Sequence, residues 1–315
     1  MTSVVSSASP ASAAFHPGPA VHRLPEWARK GSPLSPGARQ LRVLLRGERL
    51  NTVCEEARCP NLGECFSRGT ATFMLLGDRC TRRCGYCSVA TGRPRPPDPG
   101  EPARVADAAA RLRLRYVVLT AVARDDLSDG GASQFAATVE AVRARLPQAQ
   151  VEVLTPDFKG EHAALRIVLG SRPDVFNHNV EMAPRLFPSL RPQGDYARSL
   201  ELLRYARTVR PGQVTKSGLM LGLGETDAEV RQVLADLRES GVAIVTLGQY
   251  LRPTRDHAPV ARYVPPSEFE RWADEARALG FASVYSGVFV RSSFNAEEVF
   301  HGAATAPPSA APVSS

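Results

Sequence analysis

The 315-residue sequence predicts an α/β fold, a partial (β/α)6 TIM-like barrel, with a doubly wound open sheet as the alternative arrangement of the same elements. Three observations predict it. Short apolar or β-branched runs recur from residue 71 onward. Amphipathic stretches separate them, as parallel strands require, because each needs a helical crossover. Polar clusters follow the runs, where a barrel would gather them at one mouth.

The runs are ATFMLL (71–76), YVVLT (116–120), VEVL (151–154), DVFNH (174–178), VTKSGLML (214–221), VAIVTL (242–247) and ASVYS (282–286). In 132–146, Phe135, Val139, Val142 and Leu146 recur at spacings of four, three and four, which is one helix face. The stretches 161–170, 195–209, 226–239 and 267–279 carry the same pattern. The polar clusters are CTRRCGYC (80–87), RDD (124–126), DGG (129–131), TPD (155–157), NHNVE (177–181), GLGET (222–226) and QY (249–250). Any one of them suits a turn or a helix cap. Their recurrence after successive strands points to a shared site.

Composition narrows the class. Hydrophobic residues make up 43% and charged residues 23%, an ordinary globular balance. No apolar run approaches the roughly 20 residues of a membrane helix, so no membrane role is expected. A net charge of +7 favours an acidic partner or marks a surface with spare arginines. Residues 1–22 are rich in Ala, Ser, Pro and Gly and read as a disordered tail, as does HGAATAPPSAAPVSS at 301–315. The tail lacks the marks of a secretory or mitochondrial leader, so a cytoplasmic location is expected. The organisation expected is an extension over 23–70, the barrel over 71–290, and a C-terminal segment over 291–315 that closes over the mouth.

Six cysteines occur, none after Cys87. A disulfide framework belongs to small secreted chains, so metal ligation is the better reading. Cys80, Cys84 and Cys87 follow the first strand. Three thiolates suit an iron–sulfur cluster with one open iron, or a zinc ribbon that borrows a histidine. Cys54, Cys59 and Cys65 form a second triplet that needs a non-cysteine fourth ligand. Ser292 and Ser293 in FVRSSF (289–294) are the candidates. A hard alkoxide on a soft site gives a labile bond.

The Cys80 triplet, with Tyr86 before its last cysteine, resembles the radical S-adenosylmethionine superfamily. Over residues 40–300 the sequence resembles the lipoyl synthase family. The matching segments include TVCEEARCPNLGEC (52–65), GTATFMLLGDRCTRRCGYCSVATG (69–92), DDLSDGGA (125–132) and EVLTPDFKG (152–160). They continue through PDVFNHNVEM (173–182), TKSGLMLGLGET (215–226), TLGQYLRPT (246–254), PVARYVPPSEF (259–269) and SGVFVRSS (286–293).

The resemblance implies two 4Fe–4S clusters and S-adenosylmethionine. Cys80, Cys84 and Cys87 would hold the cluster that chelates S-adenosylmethionine at its open iron. Electron donation there yields a 5′-deoxyadenosyl radical, which removes hydrogen from an octanoyl chain too unreactive for acid–base chemistry. Cys54, Cys59 and Cys65, with Ser293 preferred over Ser292, would hold a sacrificial cluster that supplies sulfur at C6 and C8. Asn179, Glu181 and Lys216 would contact the ribose and carboxylate of S-adenosylmethionine. Gly130 and Gly131 would meet its amino group through backbone, and Arg291 would lie between cluster and substrate. The chain departs from the family pattern at Phe294, usually Tyr, at Ala123, usually Asp, and at Arg252, usually Gln.

The partners implied are octanoylated lipoyl carrier domains of 2-oxoacid dehydrogenases and the glycine cleavage H protein. A flavodoxin or ferredoxin-type electron donor and iron–sulfur assembly proteins are also implied. Two other readings compete. Another radical sulfur-insertion enzyme shares the Cys80 motif but places its second set of ligands elsewhere. A zinc-stabilised nucleic-acid-binding protein suits the basic charge, yet the basic residues are dispersed and no finger spacing with paired histidines occurs. No nucleic-acid partner is therefore expected.

Overall fold

The computed structural model describes residues 23–30, 35–68 and 71–304. The expected tail at 1–22 lies outside the described residues. So do 305–315, whereas 301–304 belong to a helix and correct the expectation of disorder there.

The extension carries α1 (Pro36–Gly47), β1 (Asn51–Thr52), α2 (Val53–Glu56) and α3 (Leu62–Ser67). Ser35 caps α1 by accepting from the Ala38 amide, and Thr52 caps α2 by accepting from Glu55. The sheet begins with β2 (Thr72–Leu75), against which β1 runs antiparallel. A small parallel pair, β3 (Arg79–Cys80) and β4 (Ala90–Thr91), follows and closes the base of the cysteine loop. Then come α4 (Glu101–Arg111), β5 (Tyr116–Ala121), α5 (Ala132–Arg145), β6 (Gln150–Leu154), α6 (His162–Gly170) and β7 (Val175–Asn177). The chain continues through α7 (Phe187–Leu190), α8 (Tyr196–Val209), β8 (Val214–Leu221), α9 (Asp227–Glu239), β9 (Ile244–Gln249), α10 (Pro266–Ala278), β10 (Ser283–Gly287) and α11 (Ala296–Ala304).

The main sheet has eight strands in the order β1-β2-β5-β6-β7-β8-β9-β10, and every pairing after the first is parallel. This is the expected partial barrel. Each expected run lies within two residues of an observed strand, whereas the two-residue strands β1, β3 and β4 were not expected. The helix α4 was not anticipated, because a proline-rich stretch hides its start. Pro102 sits in its first turn, where the missing N–H costs nothing.

The two faces of the sheet differ. Val117, Leu119, Val151, Val153, Val245 and Leu247 join the crossover helices in one apolar core. Helix α10 commits Phe269 and Trp272 to it, each contributing about 1.5–3 kcal/mol by burial. The capping box of Thr226 and Glu229 starts α9 at the last polar residue after β8.

The inner face has no helical layer. There Tyr116 and Val118 meet Ala296 and Phe300 of α11 in a separate cluster. The rest is polar or small. Tyr116 donates to Glu152 Oε2 at 2.7 Å, and Asn177 donates to Glu152 Oε1 at 2.8 Å. Lys216 Nζ lies 3.0 Å from both carboxylate oxygens.

The segment after β10 folds back along this face. A Cβ added at Gly218 would lie 2.6 Å from Ser292 Oγ, and one at Gly248 would lie 2.1 Å from the Val290 carbonyl oxygen. The segment therefore enters at the mouth and runs the length of the inner face. It ends where the strands begin, with Arg115 paired to Glu297 at 3.2 Å.

Gly248→Ala sets a methyl against backbone that cannot rotate away. It is expected to cost about 1–3 kcal/mol. Thermal unfolding of the variant checks this, and an unchanged midpoint would show that the segment is not seated on β9.

Candidate functional site

The loop from Cys80 to Cys87 leaves β3 and is tied down at several points. Thr81 donates its amide and its hydroxyl to the Ala123 carbonyl, at 3.1 and 2.9 Å. Both contacts are to the backbone of Ala123, so they do not depend on the side chain there. Arg82 is 6% exposed and forks onto Asp125 at 2.7 and 2.8 Å, with a third bond to Asp157 at 2.6 Å. Asp157 is fully buried; although burial raises its pKa, Arg82 outweighs this and holds it at about 2. Gly85 donates to Leu190 at 2.7 Å, Ser88 donates to Glu56 at 3.0 Å, and His257 Nε2 lies 2.9 Å from the Cys87 carbonyl. The cysteines are thereby fixed to the ends of β5 and β6, to the extension, and to the loop after β9.

Glu181 and Arg191 stand beside this triplet. Glu181 has a left-handed backbone at φ 71° and is bridged to Leu219. A non-glycine residue held there stores strain, as residues at functional sites often do. Burial pushes its carboxyl up, opposed by Arg191, Asn179 and Arg291. Arg191 is nearly buried and donates to the Asn179 carbonyl at 3.1 Å. Burial opposes its charge, but Tyr86, Glu181 and Cys84 more than compensate. Cys84 and Cys87 are also raised by burial, Cys87 to about 12, so each thiol needs a cationic partner to ionise. Iron would supply that partner, and three thiols are a donor set that fits it.

The Cys54, Cys59 and Cys65 triplet lies at a second place. Cys54, Cys59, Cys65 and Ser293 line one cavity of about 220 Å³, together with Arg291. Tyr116 and Val118 form its wall on the sheet side. Burial, then the neighbouring Cys59, raises Cys54 to about 12. No disulfide joins any of the six cysteines. Among the described residues, no three His, Cys, Asp or Glu side chains converge on a point fit for a single metal ion. A four-iron cube distributes its thiolates over separate irons and asks for a wider set.

The two serines part company. Ser293 faces the cavity, whereas Ser292 donates to Asn179 Oδ1 at 2.7 Å. Asn179 in turn donates to Glu181 Oε1 at 3.2 Å. Arg291 lines the same cavity; burial disfavours its charge, and Cys59 and Glu181 oppose that.

Other expected contacts lie in different surroundings. Lys216 is 1% exposed, and its ammonium is engaged by Glu152. Gly130 and Gly131 have φ of 60° and 90°, and a Cβ on them would meet Phe158 at 2.9 Å and Leu76 at 2.3 Å. Their amides already donate to the Leu127 carbonyl and to Asp129 Oδ1. Close packing thus accounts for both glycines. Arg252 folds back on the carbonyls of His257 and Arg255. Arg82, Asp157 and Arg191 were not singled out individually. Arg82 could have been, since it lies within the cysteine motif; Arg191 follows α7 with no pattern to mark it.

The sequence matches the Radical SAM superfamily over residues 74–237. Among solved structures it resembles the hydrogenase maturase HydG, with a TM-score of 0.55 at 14% identity over 73% of this chain and 54% of that one. It also resembles Streptococcus suis SuiB bound to S-adenosylmethionine, with a TM-score of 0.51 at 11% identity over 69% and 50%. Fold and superfamily match thus define a radical S-adenosylmethionine enzyme. The sequence is 55% identical to the lipoyl synthase of Rubrobacter xylanophilus and 58% identical to that of Methylococcus capsulatus, each over 88% of this chain and 86% of the relative. That of Nitratidesulfovibrio vulgaris is 55% identical over 90% and 94%. The chain belongs to the lipoyl synthase family, whose sulfur insertion is sulfurtransferase chemistry. No helix among the described residues is long and apolar enough to cross a membrane.

Lys216→Met orphans the buried Glu152 carboxylate and is expected to cost about 3–5 kcal/mol, most of it recovered when Glu152→Leu is added. Denaturant unfolding of both variants checks this. A stable single variant that binds S-adenosylmethionine weakly would instead make Lys216 a cofactor contact.

His178 is buried between the Thr155 carbonyl at 2.9 Å and Ser199 Oγ at 3.1 Å. Burial and Arg191 lower its pKa from 6.5 to about 4. The unfolded chain takes up its proton first as pH falls. Stability should therefore decline between pH 6.5 and about 4, by up to about 3 kcal/mol from this group. Urea midpoints compared with His178→Gln, which should flatten that part of the slope, test it.

Proposed function

We propose that this chain inserts sulfur at C6 and C8 of an octanoyl group carried on a lysine of a lipoyl domain, using two 4Fe–4S clusters. Cys80, Cys84 and Cys87 would hold the one that binds S-adenosylmethionine. Cys54, Cys59, Cys65 and Ser293 would hold the other. When bound, the first cluster with S-adenosylmethionine supplies radical hydrogen removal, and the second supplies sulfide.

The observation that carries this reading is the separation of the two serines. Ser293 shares a cavity with three cysteines, while Ser292 is engaged by Asn179. A hydroxyl beside three thiols gives a donor set with one weak corner, which suits a cluster that is opened in use.

The remaining residues take supporting roles. Arg82 holds the loop of the Cys80, Cys84 and Cys87 triplet rigid against Asp125 and Asp157. Asn179 and Glu181 present polar groups beside that triplet and would orient the ribose and carboxylate of S-adenosylmethionine. Arg191 keeps a positive charge beside the thiolates of its neighbours. Arg291 would balance charge between the two centres.

The carrier substrates would be lipoyl domains of 2-oxoacid dehydrogenases and the glycine cleavage H protein. Lipoyl domains tend to be acidic, and the net charge of +7 would speed encounter with them. A flavodoxin or ferredoxin-type donor and iron–sulfur assembly proteins would serve it in the cytoplasm.

The test is anaerobic. The protein is loaded with iron and sulfide, then given S-adenosylmethionine, dithionite and an octanoyl-lysyl peptide, which is followed by mass spectrometry. Replacement of two hydrogens by two sulfurs is expected. Ser293→Ala should lower sulfur insertion about 10–100-fold yet leave 5′-deoxyadenosine formation intact. Ser292→Ala should leave the second cluster's iron in place. If the two serine variants behave alike, the assignment of Ser293 fails. An unchanged peptide beside abundant 5′-deoxyadenosine, from protein holding both clusters, would mean the substrate is wrong.

A further inference from the structure

Lys30 lies outside every motif singled out in the sequence. Its ammonium nevertheless touches Asn61, Glu64 and Phe294, which line the Cys54–Cys65 cavity. It donates to Asn61 Oδ1 at 2.6 Å and pairs with Glu64 Oε2 at 2.7 Å. Asn61 and Glu64 both lie between Cys59 and Cys65. On its other side the same ammonium stands 5.0 Å from the ring centre of Phe289 and 5.1 Å from that of Phe294. Those rings bracket the serine-bearing segment. Asn61, fully buried, completes the junction by donating to the Phe289 carbonyl at 2.7 Å.

We propose that Lys30 is a positioning residue, a cationic latch that holds segment 289–294 against the Cys59–Cys65 segment and so keeps the Ser293 hydroxyl in the cavity. The inference rests on the reading of that cavity as the site of the second cluster. Two aromatic faces present negative potential to one cation, and an amide and a carboxylate take its N–H groups. A neutral side chain of similar length could fill the space but would lose all four attractions. The latch also explains why Phe294 suffices where the family pattern has Tyr. A cation needs the ring face and not the hydroxyl.

The side chain is 20% exposed, so the contact is held without being locked. A hydroxyl ligand that must leave its cluster in use is suited by a fastening that can open.

The first readout needs no cluster. Hydrogen exchange is measured on the full-length apoprotein, wild type against Lys30→Met and Phe294→Leu. Amides of 289–295 are expected to exchange about tenfold faster in both variants, and those of β7 and β8 at the wild-type rate. Lys30→Arg and Phe294→Tyr keep the cation and the ring and should match wild type. In the reconstituted protein, Lys30→Met should release the iron of the Cys54 set to a ferrous chelator about tenfold faster. The spectroscopic change on adding S-adenosylmethionine, which reports the Cys80 set, should persist.

Wild-type exchange over 289–295 in Lys30→Met and Phe294→Leu would overturn the latch. Should Lys30→Met fail to fold, the Phe294→Leu and Phe294→Tyr pair decides it by the same readout. Wild-type protein that loads iron for one cluster only would sink the reading of the cavity, while the exchange comparison would still decide the latch.

Discussion

The inner face of a parallel sheet must be covered by something, and here no helical layer covers it. Crossover helices occupy only the outer face. What remains inside is the polar set Tyr116, Glu152, Asn177 and Lys216, and a floor made of Gly218 and Gly248. A buried carboxylate with three partners holds strands β5 to β8 at one spacing on this face. The two glycines leave room for backbone. The segment after β10 fills that room, and it meets the N-terminal extension there. Both cysteine centres depend on that convergence.

Charge is distributed accordingly. Arg82 is neutralised by aspartates at the strand ends and acts as a fastener. Arg191 and Arg291 are not neutralised in that way. They stand among thiols and Glu181, where positive charge favours ionised sulfur, although burial opposes the charge of Arg291. The raised thiols in both triplets show the other half of the arrangement. Burial keeps water out, and only a metal or a nearby cation makes their ionisation favourable.

Much of the scaffold was legible because it rests on local pattern. The run at 214–221 coincides with β8, and the 3.6-residue spacing of Phe135, Val139 and Val142 marks the buried face of α5. Helix α4 was hidden although its two faces differ clearly, because a proline-rich stretch runs into its start and half of its buried face is alanine. The helix at 296–304 was hidden for a different reason. Its apolar side is made by contact with Tyr116 and Val118, some 180 residues earlier in the chain.

The sequence by itself determined the alternation of strands and helices, the two cysteine triplets and their family. Each of those is written in residue type and short spacing. Only the tertiary structure separated Ser293 from Ser292, placed Lys216 on Glu152, and brought Lys30 under Phe289 and Phe294. The reason is physical. Adjacent residues on an irregular segment point in directions set by what they pack against, and those neighbours are far away in sequence.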